Sequence, residues 1–157
     1  MKALEKVCGN RLWTSFLAIA AVCGVFVYCY SQTPFMMTND NFYLKSIVSG
    51  EMTGMPEFRM YYIGIVFGGV VSLLYKLFPA GMWYGVTVTL SLVAALSYLL
   101  YRIMNVCKSH IIRLCVILVF DFLLFGFFTQ HIVKSEWTTI TGIVGCASLL
   151  SLYLLEE

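Results

Sequence analysis

Charge is what this chain has least of. Only 11% of its 157 residues are Asp, Glu, Lys or Arg, against roughly 25% in an ordinary soluble domain. That shortage excludes a well-solvated globular surface and points to a bilayer. A net charge of +2, scattered along the chain, leaves no basic stripe, so no nucleic-acid partner is expected. The cysteines Cys8, Cys23, Cys29, Cys107, Cys115 and Cys146 show no CxxC spacing, which argues against a zinc site or a disulfide framework; in apolar runs a thiol is a small hydrophobe. There is no Ser-His-Asp set, phosphate loop or haem motif, and no long repeat, low-complexity tract or linker.

Apolar residues make up 61% of the chain, and they fall into runs. Lys2, Lys6 and Arg11 precede the first. It continues for about 20 residues, enough to cross the hydrocarbon core, and no small-x-small cleavage site followed by a soluble domain comes after it, so it is a retained span rather than a signal peptide. The pattern predicts an all-α polytopic membrane protein with about five transmembrane helices, at residues 12–30, 60–78, 82–101, 114–128 and 137–155, in one transmembrane domain covering 1–157. Lys76 snorkels from the end of the second span. In "FPAGMWY", Pro79 and Gly81 break the helix and Trp83 and Tyr84 serve as interfacial aromatics. "RIMNVCKSHIIR" is expected to be a polar link. Glu156 and Glu157 end the chain directly after a span, which suggests the amino-terminal fragment of something longer.

Lysine and arginine do not decide orientation. An inner amino terminus puts Lys2, Lys6, Arg11, Lys76 and Lys134 inside and Lys45, Arg59, Arg102, Lys108 and Arg113 outside, five against five. The first span usually dominates. Its flank is basic and the following loop acidic, so the amino terminus is expected in the cytoplasm. Gly64 and Gly68 form a GxxxG pattern that Ser72 extends, a stripe that lets helix backbones approach closely. Packing within the chain is the plainer expectation, dimerisation the other. Gly81 and Gly85 repeat the spacing.

One stretch is out of place among these runs: "TNDNFYLKSIVSGEMTG", from Thr38 to Gly54. Tyr43, Leu44, Ile47 and Val48 recur at helical spacing opposite Lys45 and Ser46, and Gly50 follows the end. That is a short amphipathic helix lying in the interface, in the first outer loop. Asp40 is placed to act as its N-cap. The alternative is that Asp40, beside Asn39, is presented at the outer surface to coordinate a divalent cation or to act as general base toward a hydroxyl. One carboxylate and one amide are few ligands for Mg²⁺ or Ca²⁺.

The order of basic start, first span, "TNDNFYLKSIVSGEMTGMPEF" and a second span ending "LLYKLFPAGMWYG" resembles the amino-terminal part of a group of largely uncharacterised polytopic proteins from gut-dwelling Firmicutes. These in turn resemble the GT-C class of membrane glycosyltransferases. The residues that carry the likeness are Asn39 and Asp40, Ser49 and Gly50, Thr53 and Gly54, Pro56, Leu74 and Tyr75, Phe78 and Pro79, and Trp83 and Tyr84. It spans roughly residues 12 to 155 and is strongest from Thr38 to Tyr84. The resemblance implies a bacterial plasma-membrane enzyme that transfers a sugar from a polyprenyl-phosphate donor at the outer face. Asp40 would then be the acid of the first outer loop, either beside a catalytic divalent cation or acting as base. Two departures stand out. The group's second acid is Asn41 here, and the class runs to several hundred residues with many more spans.

Asp121 is the other candidate, because an ionisable group within a span is costly and commonly marks a pathway or a buried partner. Arg113, Ser91 and Ser97 are its possible partners. His110 and His131 fall at span ends and suit the interface. Three functions therefore stand against one another: a GT-C-like glycosyltransferase using Asp40, a small transporter or channel subunit using Asp121 and the GxxxG stripe, and a non-catalytic structural membrane protein.

Overall fold

A computed structural model describes residues 11–33, 39–60, 64–107, 109–134 and 137–153, except for the side chains of Asn39 and Trp137. Among the described residues all regular structure is helical, as the apolar runs predict. Among the described residues three helices are long and apolar enough to cross a membrane: α1, Arg11–Gln32, α4, Trp83–Val106, and α5, His110–Lys134. Between α1 and α4 lie α2, Asn39–Ser49, and α3, Ile65–Leu77. The last described helix is α6, Trp137–Tyr153. The basic residues Lys2 and Lys6 and the terminal glutamates lie outside the described residues.

The five expected spans thus become three long helices and two shorter apolar ones, α3 and α6. The largest difference is at the second. Residues 60–78 read as one apolar run, yet α3 has only 13 residues, about 20 Å at 1.5 Å per residue. Its start is displaced because Phe58 to Met60 do not extend the helix. They lie beside it, with the Phe58 carbonyl against Gly68 and the Met60 N–H donating to that same carbonyl at 3.1 Å.

The fourth run shows the opposite error. A span of 114–128 was expected, but α5 has 25 residues. It begins ahead of Arg113 and continues past Thr129, with a π-turn at Leu124–Phe128. Helical hydrogen bonds are indifferent to side-chain polarity, so hydropathy marks neither end. The link of 102–113 shrinks accordingly to the residues between Val106 and His110, where the Arg113 Nε donates to the Cys107 carbonyl at 2.9 Å.

The chain divides into two compact units, Met36–Leu90 and the remainder. In the larger, α1 buries Ala18, Val22, Val25, Phe26 and Cys29 along one stripe and packs on α5. There the Tyr30 hydroxyl donates to the Ile132 carbonyl at 3.2 Å, and Tyr28 meets Phe125 edge to face at 5.3 Å. The Arg102 Nη2 donates to the Ser151 carbonyl at 3.3 Å. All five described cysteines are free thiols.

The smaller unit holds the polar stretch. The turn "FPAGMWY" lies where the sequence puts it, between α3 and α4, and the Trp83 Nε1 closes it by donating to the Phe78 carbonyl at 2.6 Å. Gly50 ends α2 with φ +83, a left-handed conformation that glycine adopts without steric cost. A Cβ there would also stand 2.6 Å from the Met55 carbonyl carbon and 2.7 Å from the Pro56 nitrogen. The turn it permits brings the chain back along α2, so that the Glu57 N–H reaches the Ile47 carbonyl at 3.3 Å.

Candidate functional site

The site is built around α2. Helical spacing predicts Leu44, Ile47 and Val48 on the buried face, and they are buried. Tyr43, expected with them, is exposed instead. Asn41 takes the place next to them, three residues before Leu44 and seven before Val48, and is only 2% exposed. Its Oδ1 accepts a hydrogen bond from the Tyr84 hydroxyl at 2.9 Å. Tyr84, expected at the interface, is 0% exposed, and its backbone N–H donates to the Tyr75 hydroxyl oxygen at 3.3 Å. A buried amide and a buried phenol need such partners. Much of the stretch that carried the resemblance therefore holds this unit together: Gly50 by its turn, Tyr75, Tyr84 and the position of Asn41 by packing and hydrogen bonds.

Tyr84→Phe removes only the hydroxyl and is expected to lower the unfolding free energy by about 1 kcal/mol, the usual net worth of one hydrogen bond. Asn41→Leu should lose at least as much, because it also strands the buried Tyr84 hydroxyl, and the double variant should lose less than the sum of the two, because the residues share one interaction. Denaturant unfolding in detergent micelles measures the cycle; strict additivity would show that the 2.9 Å contact contributes no coupling.

Asp40 stands apart from this packing. It is exposed, and among the described residues its carboxylate makes no hydrogen bond or ion pair. The helix begins at Asn39, so Asp40 is the second residue of the first turn rather than the N-cap, and Thr38 before it lies outside the described residues, as does the side chain of Asn39. A carboxylate in the first turn still interacts favourably with the helix dipole. Asp40 precedes Tyr43 by three residues and Ile47 by seven, so it shares their side of α2.

That side faces an open depression of about 560 Å³ lined by Tyr43, Ile47, Met52, Thr53, Glu57, Arg59 and Met60. The Thr53 Oγ1 donates to the Met55 carbonyl at 2.6 Å, which fixes the loop at its rim. Phe58 orients two of the lining charges. Its N–H donates to the Glu57 Oε1 at 3.1 Å, and its ring lies under the Arg59 guanidinium at 5.5 Å, a cation–π contact. Lys45 pairs instead with Glu51 at the surface, where an ion pair contributes little.

Asn41 is turned inward to Tyr84 and offers no oxygen beside Asp40, and among the described residues there is no cluster of three or more His, Cys, Asp or Glu able to hold a metal. What Asp40 can do unaided is accept a proton.

Gly64, Gly68 and Ser72 do not act as one stripe. Gly64 is exposed ahead of α3 with nothing near the position of a Cβ, whereas Gly68 is buried against the Phe58 carbonyl. The Ser72 Oγ donates to the Gly69 carbonyl at 3.2 Å. Asp121, one turn ahead of the π-turn of α5, has a buried Oδ1 with no hydrogen-bond partner. None of the three expected partners bonds to it, and the Ser97 hydroxyl is itself buried and unpartnered. His131 is exposed, with Nδ1 at 3.4 Å from the Thr139 hydroxyl.

The Asn41–Tyr84 bond and the Glu57/Arg59 pair were missed from sequence. A signal existed for Asn41, whose spacing to Leu44 and Val48 puts it on the buried face. The chain matches no protein-family model, no curated protein and no solved structure.

Proposed function

We propose that the chain is the Asp40-bearing part of a membrane glycosyltransferase of GT-C-like kind, which moves a sugar from a polyprenyl-phosphate donor to an acceptor hydroxyl at the outer face of the bacterial plasma membrane. The observation that carries the reading is Asp40 itself: exposed at the start of a helix that Asn41, Gly50 and Tyr84 hold in place, with its carboxylate free of any partner among the described residues.

In this reaction Asp40 takes the proton of the acceptor hydroxyl as that oxygen bonds to the anomeric carbon. The bond from that carbon to the phosphate breaks, and the polyprenyl phosphate leaves with its electron pair. The test is transfer of labelled sugar in proteoliposomes by the Asp40 variants.

A second reading, a transporter or channel subunit, draws on Asp121, whose Oδ1 is buried without a partner within a long apolar helix. It expects Asp121→Asn to abolish ion or solute flux into proteoliposomes while Asp40→Asn leaves flux intact. Flux that is absent from the wild type, or insensitive to Asp121→Asn, removes this reading.

A further inference from the structure

The depression beside α2 carries two opposite charges that do not neutralise each other. Glu57 and Arg59 both line it, yet among the described residues the ion pair formed is between Lys45 and Glu51, not between these two. Both are held by Phe58 as described, through its N–H and through its ring. Phe58 is in turn seated against Gly68. The second carboxylate oxygen of Glu57 and the N–H groups of Arg59 have no hydrogen-bond partner among the described residues. Alongside them, Ile47, Met52 and Met60 supply an apolar wall and Tyr43 an aromatic edge.

An open hollow with one anion, one cation and an aliphatic side, next to a short amphipathic helix that follows a span, has the chemistry of a lipid headgroup site at the interface. We propose that it binds a phospholipid with an ethanolamine headgroup: the phosphate on the Arg59 guanidinium, the primary ammonium on the Glu57 carboxylate, and the first methylenes along Ile47, Met52 and Met60.

The charges choose among headgroups. A guanidinium offers paired N–H donors that suit a phosphate, so every phospholipid gains from Arg59. Glu57 then discriminates. A primary ammonium donates to it, a choline has no N–H to donate, and the glycerol headgroup of an anionic lipid leaves the carboxylate facing uncompensated negative charge. This site is independent of the sugar-transfer reading, because an ethanolamine phospholipid has no anomeric carbon and Asp40 takes no part in holding it.

The test is native mass spectrometry of the full chain released from detergent micelles, titrated with ethanolamine, choline and glycerol phospholipids of identical acyl chains and with a polyprenyl phosphate. Ethanolamine lipid is expected to bind about tenfold more tightly than the choline and glycerol lipids, the scale of one charge-assisted hydrogen bond. Glu57→Gln keeps an acceptor for the Phe58 N–H but removes the charge, and should reverse the preference in favour of the glycerol lipid. Arg59→Gln should weaken all three by about tenfold, and Arg59→Lys should recover part of that loss. Equal binding of the three phospholipids by the wild type, an unchanged preference in Glu57→Gln, or displacement of the ethanolamine lipid by an equal concentration of polyprenyl phosphate would each overturn the proposal. Loss of sugar transfer in an Asp40 variant leaves these titrations unchanged, so the two ideas fail separately.

Discussion

Replacing Asp40 by alanine is expected to slow sugar transfer in proteoliposomes by about 10²- to 10⁴-fold, the usual contribution of a positioned general base, with little change in stability. The small stability effect follows from exposure: the side chain buries nothing, and its interaction with the dipole of α2 is worth about 0.3–1 kcal/mol. Asp40→Asn is the sharper variant, since it keeps shape and polarity and removes only the capacity to take a proton. It should be as inactive as alanine. Asp40→Ser separates catalysis from support of the helix start, because serine keeps a small polar side chain in the first turn of α2 and is a poor base. Transfer restored by serine would mean that the acid acts through the helix start and not on the acceptor, and wild-type rates in all three variants would end the catalytic reading.

The same reading demands that position 40 face the outside. A single cysteine placed there should react with a membrane-impermeant thiol reagent added to intact cells. Labelling only after the cytoplasmic face is opened would remove the donor side of the reaction, whatever the activity of the variants. Lysine and arginine could not settle this point, five residues falling on each side of the expected membrane.

Apolar length and turn residues made the helices legible. The first and third runs became α1 and α4, and Pro79 and Gly81 marked the break before α4. The periodicity of Leu44, Ile47 and Val48, closed by Gly50, placed α2. Hydropathy failed where burial was local and not lipid-facing. Met60 is buried because it folds back beside α3, and a hydropathy window cannot distinguish that from the first turn of a span. The bond between Asn41 and Tyr84 joins residues 43 apart, a separation no short-range pattern encodes. Trp83 and Tyr84 illustrate the same limit: adjacent aromatics of similar amphipathic character, of which one is partly exposed and the other wholly enclosed. Asp40 was legible as an acid at a helix start; that its neighbour Asn41 serves the packing became visible only with the fold.

Gly68→Ala is expected to lower the unfolding free energy by about 3 kcal/mol, at the upper end of what overpacking a tight site produces, while Gly64→Ala changes it by less than about 0.5 kcal/mol. The contrast comes from the surroundings of the two glycines. A Cβ at Gly68 runs into the backbone carbonyl of Phe58, which cannot rotate away as a flexible side chain would, whereas a Cβ at Gly64 meets nothing within 4 Å. Gly64 also precedes α3 with φ −59 and ψ 138, a conformation alanine adopts freely. The alanine at 68 must push the Phe58 segment off α3, and with it the contacts that orient Glu57 and Arg59, so ethanolamine-lipid binding should fall together with stability. A helix–helix seam built on the GxxxG pattern predicts otherwise: both alanines would weaken self-association comparably, and thermal stability at high dilution would be spared. Denaturant unfolding of the two variants at several protein concentrations decides between them, and equal, concentration-dependent effects would move Gly68 from the loop contact to a dimer interface.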